Sequence, residues 1–316
     1  MGERVAGLAA HIRREFGKAI VGQQAPLDQL LLVLLCGGHG LIEGVPGLAK
    51  TLAVKVLARL LVLDFQRVQC TPDLMPADVT GTNVFNISTA TFAFHRGPVF
   101  TDLLLVDEIN RTPPRTQSAL LEAMEERQVT VDGTRHALGP FFTVFATQNP
   151  IEFEGTYPLP EAQLDRFLMK IRFAYPDDAA EQQILRHFHE GFDPRALDAL
   201  ALEPVPAELL AAARQEVSRT QVEPALIQYV TAIARRTRDW PAVSLGASPR
   251  AAVSLLMVAK AFAALDGRDY LIPDDAKNAA VPVLRHRLLL KPEAELEGIS
   301  ADQAIAEVLA SVDVPK

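Results

Sequence analysis

Lys50 and Thr51 close the run Gly44-Val-Pro-Gly-Leu-Ala-Lys-Thr51, and this spacing of glycine, lysine and hydroxyl is that of a phosphate cradle. The general form G-x-x-x-x-G-K-[ST] needs a strand, a turn whose backbone N–H groups face an anion, and a helix whose N-terminus points at the same place. Ala49 stands where that form has its second glycine. A methyl group fits there if the residue keeps a negative φ, because only positive φ strongly demands glycine. Asp107 and Glu108 end the apolar run Leu103-Leu-Leu-Val106. Following a phosphate cradle, one such carboxylate can hold Mg2+ together with the Thr51 hydroxyl, while its neighbour orients and deprotonates a water aimed at a γ-phosphate. Each motif alone has a plainer reading, a turn before an amphipathic helix or a pair of solvated acids at a strand end. Their succession in one chain favours a nucleotide site. A guanine-reading Asn-Lys-x-Asp is absent, and Asp78-x-x-Gly81 is too short to stand for a GTPase switch.

The elements that would position these residues follow from hydrophobic spacing. Leu41 and Ile42 end the strand that feeds the cradle, Gly44 to Ala49 form the turn, and a nearly all-apolar helix runs from Lys50 to Leu61, as expected of one packed against a sheet. Upstream, Val5, Leu8, Ala9, Ile12 and Phe16 predict an amphipathic helix over 4–19, and a second spans Gln24 to Cys36 before Gly37-Gly38 stops it. Asp64 to Cys70 alternates as a strand. Residues 71–97, with Pro72, Pro76, Gly81 and the alternating Thr91-Phe-Ala-Phe94, read as a loop, a partial helix and a small hairpin inserted between core elements. The continuous apolarity of Leu103 to Val106 indicates a strand covered on both faces, hence a parallel sheet. A helix from Arg115 to Arg127 follows, then a hairpin about Asp132-Gly133 and a buried strand from Phe141 to Thr147 ended by Gln148-Asn149-Pro150. The fold class is therefore α/β, an open parallel sheet flanked by helices that binds ligand at its carboxyl edge. Residues 178–190 read as a helix, and Pro194, Pro204 and Pro206 mark a boundary. The remainder, rich in Ala and Leu, predicts a smaller all-helical domain, dividing the chain into 1–190 and 191–316.

Composition bounds the partners. A chain of 316 residues, 49% of them hydrophobic, can bury a sizeable core. The net charge of -8, from 31 basic and 39 acidic residues, disfavours nucleic acid as the main partner. Cys36 and Cys70 suggest neither a disulfide framework nor a zinc site, in keeping with a cytoplasmic setting. No leader-like start is visible at Met1-Gly-Glu-Arg, and the longest apolar stretch, Leu30 to Cys36, is too short to span a bilayer. His187 and His189, two apart on a helix, point to different faces and make no metal pair. Arg285-His-Arg287 reads as a solvated basic face, and the Met and Phe residues of 252–265 as core of the helical domain.

Gly44-Val-Pro-Gly-Leu-Ala-Lys-Thr51, Leu105-Val-Asp-Glu-Ile-Asn-Arg111, Ala146-Thr-Gln-Asn-Pro150, Leu159-Pro-Glu-Ala-Gln-Leu-Asp-Arg-Phe167 and Ser248-Pro-Arg250 together resemble the MoxR family of AAA+ ATPases. The motifs stand in the family's order, and Ala49 is the family's usual choice. The resemblance implies an AAA+ core with a helical lid, and a ring, a hexamer, whose ATP sites are shared between subunits. ATP or ADP would lie on Gly44, Val45, Pro46, Gly47, Leu48, Ala49, Lys50, Thr51 and Leu52, with Val21 and Gly22 near the adenine and Mg2+ on Thr51 and Asp107. Lys50 would neutralise phosphate charge and Glu108 would activate water. Asn149 would be a sensor of the water or γ-phosphate, unless it simply caps a strand end before Pro150. Arg166 would be an arginine finger for the neighbouring subunit; within one chain, Asp165-Arg166 is equally a surface ion pair. Arg250, behind the N-cap pair Ser248-Pro249, would face the nucleotide from a helix start, in its own site or a neighbour's. Hydrolysis would shift the lid and move the 71–97 insert and the Asp132-Gly133 hairpin. Family members commonly work with von Willebrand A domain proteins and act as chaperones in maturation. Two other classes remain open at this point, a nucleic-acid-translocating motor on the same architecture and a nucleotide-gated scaffold that does not hydrolyse.

Overall fold

The computed structural model describes residues 3–149 and 156–315. Met1, Gly2 and Pro150, on which parts of the sequence reading rest, lie outside the described residues. Two helices open the chain, α1 (Glu3–Phe16) and α2 (Gln24–Cys36). Gly37 ends α2 at φ 64°, and the N–H groups of Gly37 and Gly38 turn back onto the carbonyls of Leu34 and Val33. This is the left-handed stop that glycine permits most readily. Strand β1 (Gly40–Glu43), helix α3 (Lys50–Leu60) and strand β2 (Phe65–Gln69) follow. Then comes the insert, a short helix α4 (Pro76–Thr80) and the antiparallel pair β3 (Gly81–Asn86) and β4 (Thr91–Arg96). Asp78, the residue that imitates a GTPase switch, accepts from the Met75 N–H at 2.8 Å at the start of α4 and so has a local structural task.

Strand β5 (Leu103–Asp107) leads through a 3-10 turn at Ile109–Arg111 to α5 (Pro114–Glu126). The hairpin β6 (Gln128–Val131) and β7 (Thr134–Ala137) turns at Asp132-Gly133, as its sequence predicts. Strand β8 (Thr143–Gln148), the one-turn helix α6 (Glu161–Leu164), strand β9 (Met169–Arg172) and helix α7 (Asp178–His189) complete this part. The central sheet has the order β2-β5-β8-β1-β9, and every pairing in it is parallel. Its side chains alternate between two cores: Ile42, Leu103, Leu105 and Phe145 face one, Leu41, Leu104, Val106 and Ala146 the other. Helices on both faces explain why these strands read as continuously apolar. The two hairpins lean on each other, since Phe94 stacks on His136 with ring centroids 4.0 Å apart and Asn83 donates to Asp132 at 2.6 Å.

The rest is helical: α8 (Ala207–Ser218), α9 (Pro224–Arg238), α10 (Pro249–Leu265), α11 (Pro273–Leu284), α12 (Pro292–Leu296) and α13 (Ala301–Ser311). A small ribbon, β10 (Val243–Leu245) with β11 (Leu289–Leu290), sits among them. One hydrophobic cluster runs without a break from Val5, Leu8 and Ile12 of α1 to Leu255, Val283 and Val308 of the lid. Of the Met and Phe residues expected in the core of α10, Phe262 is half-buried against the hydrophobic cluster, whereas Met257 lies at the surface; Leu255 and Val258 fill the core instead.

The expected solvated face at 285–287 is not what forms. Arg287 is 8% exposed; its Nε donates to Asp165 at 2.6 Å, and its other nitrogens reach the carbonyls of Asp165, Phe167 and Leu168. His286 bonds the Phe167 carbonyl at 2.9 Å, and burial drives its imidazole well below its ordinary range. The chain between α6 and β9 has carbonyls that no strand or helix satisfies, and buried carbonyls require partners. The fork of Arg287 supplies them, with five donors in one plane. Beside it, Arg285 and Arg172 both pair with Asp302 of α13, and Arg172 also with Glu43 at the end of β1. The lid is thus latched to the strand that feeds the cradle.

Candidate functional site

The cradle lies where β1 ends and α3 begins. Gly44 is fixed by close approach, since an added Cβ would stand 2.8 Å from the Phe173 carbonyl oxygen. Gly47 takes φ 88°. The negative φ expected of Ala49 is not observed: it takes φ 57°, ψ 23°, in the left-handed region, directly before α3. That conformation costs an alanine about 1–2 kcal/mol. The half-buried methyl meets no core, and the turn into α3 sets the dihedral. Lys50 folds back to donate to the Gly44 carbonyl. Burial pushes its ammonium below the usual range, while Asp107, Glu108 and Glu43 pull it upward.

Parallel pairing of β5 with β2 and β8 brings three strand ends to the opposite wall. Asp107, 9% exposed, accepts at Oδ1 from the Thr147 hydroxyl at 2.7 Å. Its Oδ2 accepts from Arg67 Nε at 2.9 Å, lies 2.7 Å from Arg67 Nη2, and stands 3.4 Å from the Thr51 hydroxyl. Thr147 also accepts from the Glu108 N–H at 2.9 Å. Glu108 sits in the left-handed region at φ 59°, and its carboxylate accepts from Gln69 at 3.2 Å and Arg111 at 3.1 Å. Left-handed residues other than glycine gather at functional sites because surrounding structure must hold them there. Ala49 and Glu108, on opposite walls, are two of them. Between the walls lies a cavity of about 450 Å3 lined by Pro46 to Leu52, Arg67, Gln69, Asp107, Glu108, Thr147, Asn149 and Pro194.

The structure thus brings together Lys50, Thr51, Asp107, Glu108 and Asn149. Val21 and Gly22 do not line this cavity; Gly22 is packed beside Pro176 and Ala180. Arg166 and Arg250 stand apart from it as well. Arg166 donates to the Leu121 carbonyl at 2.8 Å and lines a separate cavity with Glu122, Glu125 and Glu126. Arg250 begins α10 as expected, behind Ser248, whose hydroxyl caps the Ala251 N–H at 3.0 Å, but its guanidinium pairs with Glu125. Both arginines therefore belong to one acidic face on α5, and Arg250 does not face the cradle of its own chain. The alternative of an Asp165-Arg166 surface pair also fails, because Asp165 bonds Arg287 and the Ser248 hydroxyl. His187 and His189 lie on α7, which has no buried residue, and no group of three metal-ligating side chains occurs among the described residues.

Sequence reasoning missed Arg67, Gln69, Thr147 and Arg111. The first two alternate along β2, a signal that places them on one face of that strand but not beside Asp107. Only the strand order supplies that neighbourhood.

A phosphate cradle after the first strand, paired carboxylates after a buried inner strand, and a helical lid define the AAA+ module. The model of the ATPase family associated with various cellular activities (AAA) matches residues 39–169, and that of the AAA lid domain matches 235–308. The chain is 45% identical to the uncharacterized protein YeaC of Bacillus subtilis (strain 168), over 96% of this chain and 93% of that one. It is 42% identical to chaperone MoxR1 of Mycobacterium tuberculosis, over 98% of this chain and 85% of that one. A crystal structure from Cytophaga hutchinsonii, provisionally described as an ATPase, superimposes with a TM-score of 0.89 at 41% identity, covering 99% and 98% of the two chains. The chain belongs to the MoxR family of AAA+ ATPases.

Proposed function

We propose that the chain is an Mg2+-dependent ATPase that works as a ring and remodels or matures partner proteins. The observation that carries this reading is the cavity on which Lys50, Thr51, Asp107, Glu108 and Asn149 converge. Lys50 and the backbone of 44–51 would hold the β- and γ-phosphates. Thr51 and Asp107 offer two oxygen donors 3.4 Å apart facing that cavity. This suits a hard cation that keeps several waters and takes its remaining ligands from phosphates. Mg2+ held there would screen the charge of the transferred phosphoryl group. Glu108 would take the proton of the attacking water, with Asn149 positioning that water.

Arg166 and Arg250, remote from their own cradle yet side by side on α5, support a shared site in which one subunit presents both guanidinium groups to the nucleotide of the next. A head-to-tail contact of this kind can close into a ring, and membership of the family makes a hexamer the proposed size. The relative named chaperone MoxR1 supports a chaperone role; von Willebrand A domain proteins as partners follow from the family resemblance, and a cytoplasmic setting from the sparse cysteines. No helix among the described residues is long and apolar enough to cross a membrane.

Glu108→Gln is expected to keep ATP binding and lose turnover by at least ~100-fold in a phosphate-release assay. Unchanged turnover would instead favour a nucleotide-gated scaffold. Mixed rings test the shared site. Arg166→Ala subunits combined with Lys50→Ala subunits should regain part of the activity that each lacks alone, and a mixture as inactive as its components would refute action in trans.

A further inference from the structure

We propose that Arg67 is a positioning residue that stands in for the divalent cation on Asp107, so that metal and guanidinium compete for one carboxylate oxygen. The proposal rests on Asp107 being a metal ligand, as proposed above, but concerns a residue to which that reading gives no task.

The geometry is specific. Asp107 Oδ1 is committed to the Thr147 hydroxyl at 2.7 Å. Oδ2 is the oxygen that the Thr51 hydroxyl approaches, at 3.4 Å, and is therefore the one a cation shared with Thr51 must use. Two nitrogens of Arg67 close on that same oxygen, Nε at 2.9 Å and Nη2 at 2.7 Å. A permanent positive charge, with Nε–H donating to that oxygen and Nη2 at ion-pair distance from it, supplies what a cation supplies there, charge and a filled lone-pair direction. The Arg67 side chain is also free to leave: it is 49% exposed and lines the cavity, and among the described residues its one other hydrogen bond goes to Gln69, at 2.9 Å. Gln69 in turn donates to Glu108 at 3.2 Å. Displacing Arg67 from Asp107 would thus be felt at the second carboxylate through one intervening side chain. Both residues lie on β2, which runs directly into the insert that begins at Thr71.

Mn2+ binding to the full chain, followed by electron paramagnetic resonance with and without ADP, tests the idea. Arg67→Gln should bind Mn2+ about fivefold more tightly than wild type, the size expected for losing a half-exposed competing pair. Arg111→Gln, which removes the same charge from Glu108 instead, should gain clearly less. Equal gains in the two variants would mean a general field effect and would overturn the proposal, as would no gain in Arg67→Gln. Weaker ADP binding by Arg67→Gln in the absence of metal would make Arg67 a phosphate ligand and would also overturn it. Should Arg67→Gln not fold, Arg67→Lys decides. Lysine keeps the charge but lacks the fork, so any gain in Mn2+ affinity supports competition and none refutes it. A wild-type chain that fails to bind ADP, while the Mn2+ gain persists, would defeat the nucleotide reading and leave this one standing.

Discussion

Two arginine–aspartate pairs in this molecule have similar lengths and opposite surroundings. Arg287 and Asp165 meet at 2.6 Å with the arginine side chain 3% exposed, and the remaining donors of Arg287 go to backbone carbonyls. Arg67 and Asp107 meet at 2.7 Å with the arginine side chain 49% exposed, at the edge of an open cavity. The donors of the first guanidinium are committed on all sides; the second faces an open cavity into which it can turn. The difference teaches that distance alone does not say what an ion pair does. What decides is whether the donors left over are committed elsewhere.

The comparison is broken most directly at the lid joint. Arg287→Ala would leave Asp165 with the Ser248 hydroxyl but no charged partner, and would take a donor from the carbonyls of Asp165, Leu168 and Val283, so a loss of about 3–5 kcal/mol is expected in chemical denaturation. A loss below about 1 kcal/mol would show that the joint is as exchangeable as the cavity pair. Acid should attack the same joint through His286, and the sheet core through His39, whose ring nitrogens sit against the Met124 carbonyl and the Val144 N–H. Burial holds His39 down to about 4 from an ordinary 6.5, and holds His286 well down too. Both residues are neutral in the folded chain, so their contribution is intact above the unfolded value near 6.5 and is lost as pH falls toward the folded values. For His39 the window spans 2.5 pH units, or about 3 kcal/mol. Unfolding midpoints measured from pH 7 to pH 4 should fall accordingly, and a flat profile would contradict the burial of these rings. The smallest effect is expected at the cavity, where Arg67→Gln should change stability by no more than about 1 kcal/mol. A cost equal to that of Arg287→Ala would erase the distinction.

Much of this was legible before any coordinates. The helix stop at Gly37, the Asp-Gly hairpin, the insert and the doubly covered β5 each carry a local signal, and the structure has them all. The cradle and the carboxylate pair were legible because their spacing is dictated by the phosphate they would bind. Arg67, Gln69 and Thr147 were not, because they meet Asp107 and Glu108 only through the order of strands in the sheet, which no local spacing encodes. Arg287 was misread for a related reason. Three polar residues in a row look solvated, and the carbonyls that capture Arg287 lie more than a hundred residues earlier. Ala49 shows the opposite limit: its type suggested negative φ, and the turn into α3 overrode the preference.

The cluster that joins α1 to the lid also sets a timetable for synthesis. Val5, Leu8 and Ile12 leave the ribosome long before α8 and α10, elements with which α1 is in contact and shares one hydrophobic cluster. At about 5–20 residues per second, the nascent chain waits on the order of 10–50 seconds between making the first helix and completing its partners. During that interval the apolar stripe of α1 has α2 and α3 to lean on. A truncated chain that stops before residue 207 should therefore be sticky and readily digested, whereas the finished chain should resist protease along α1.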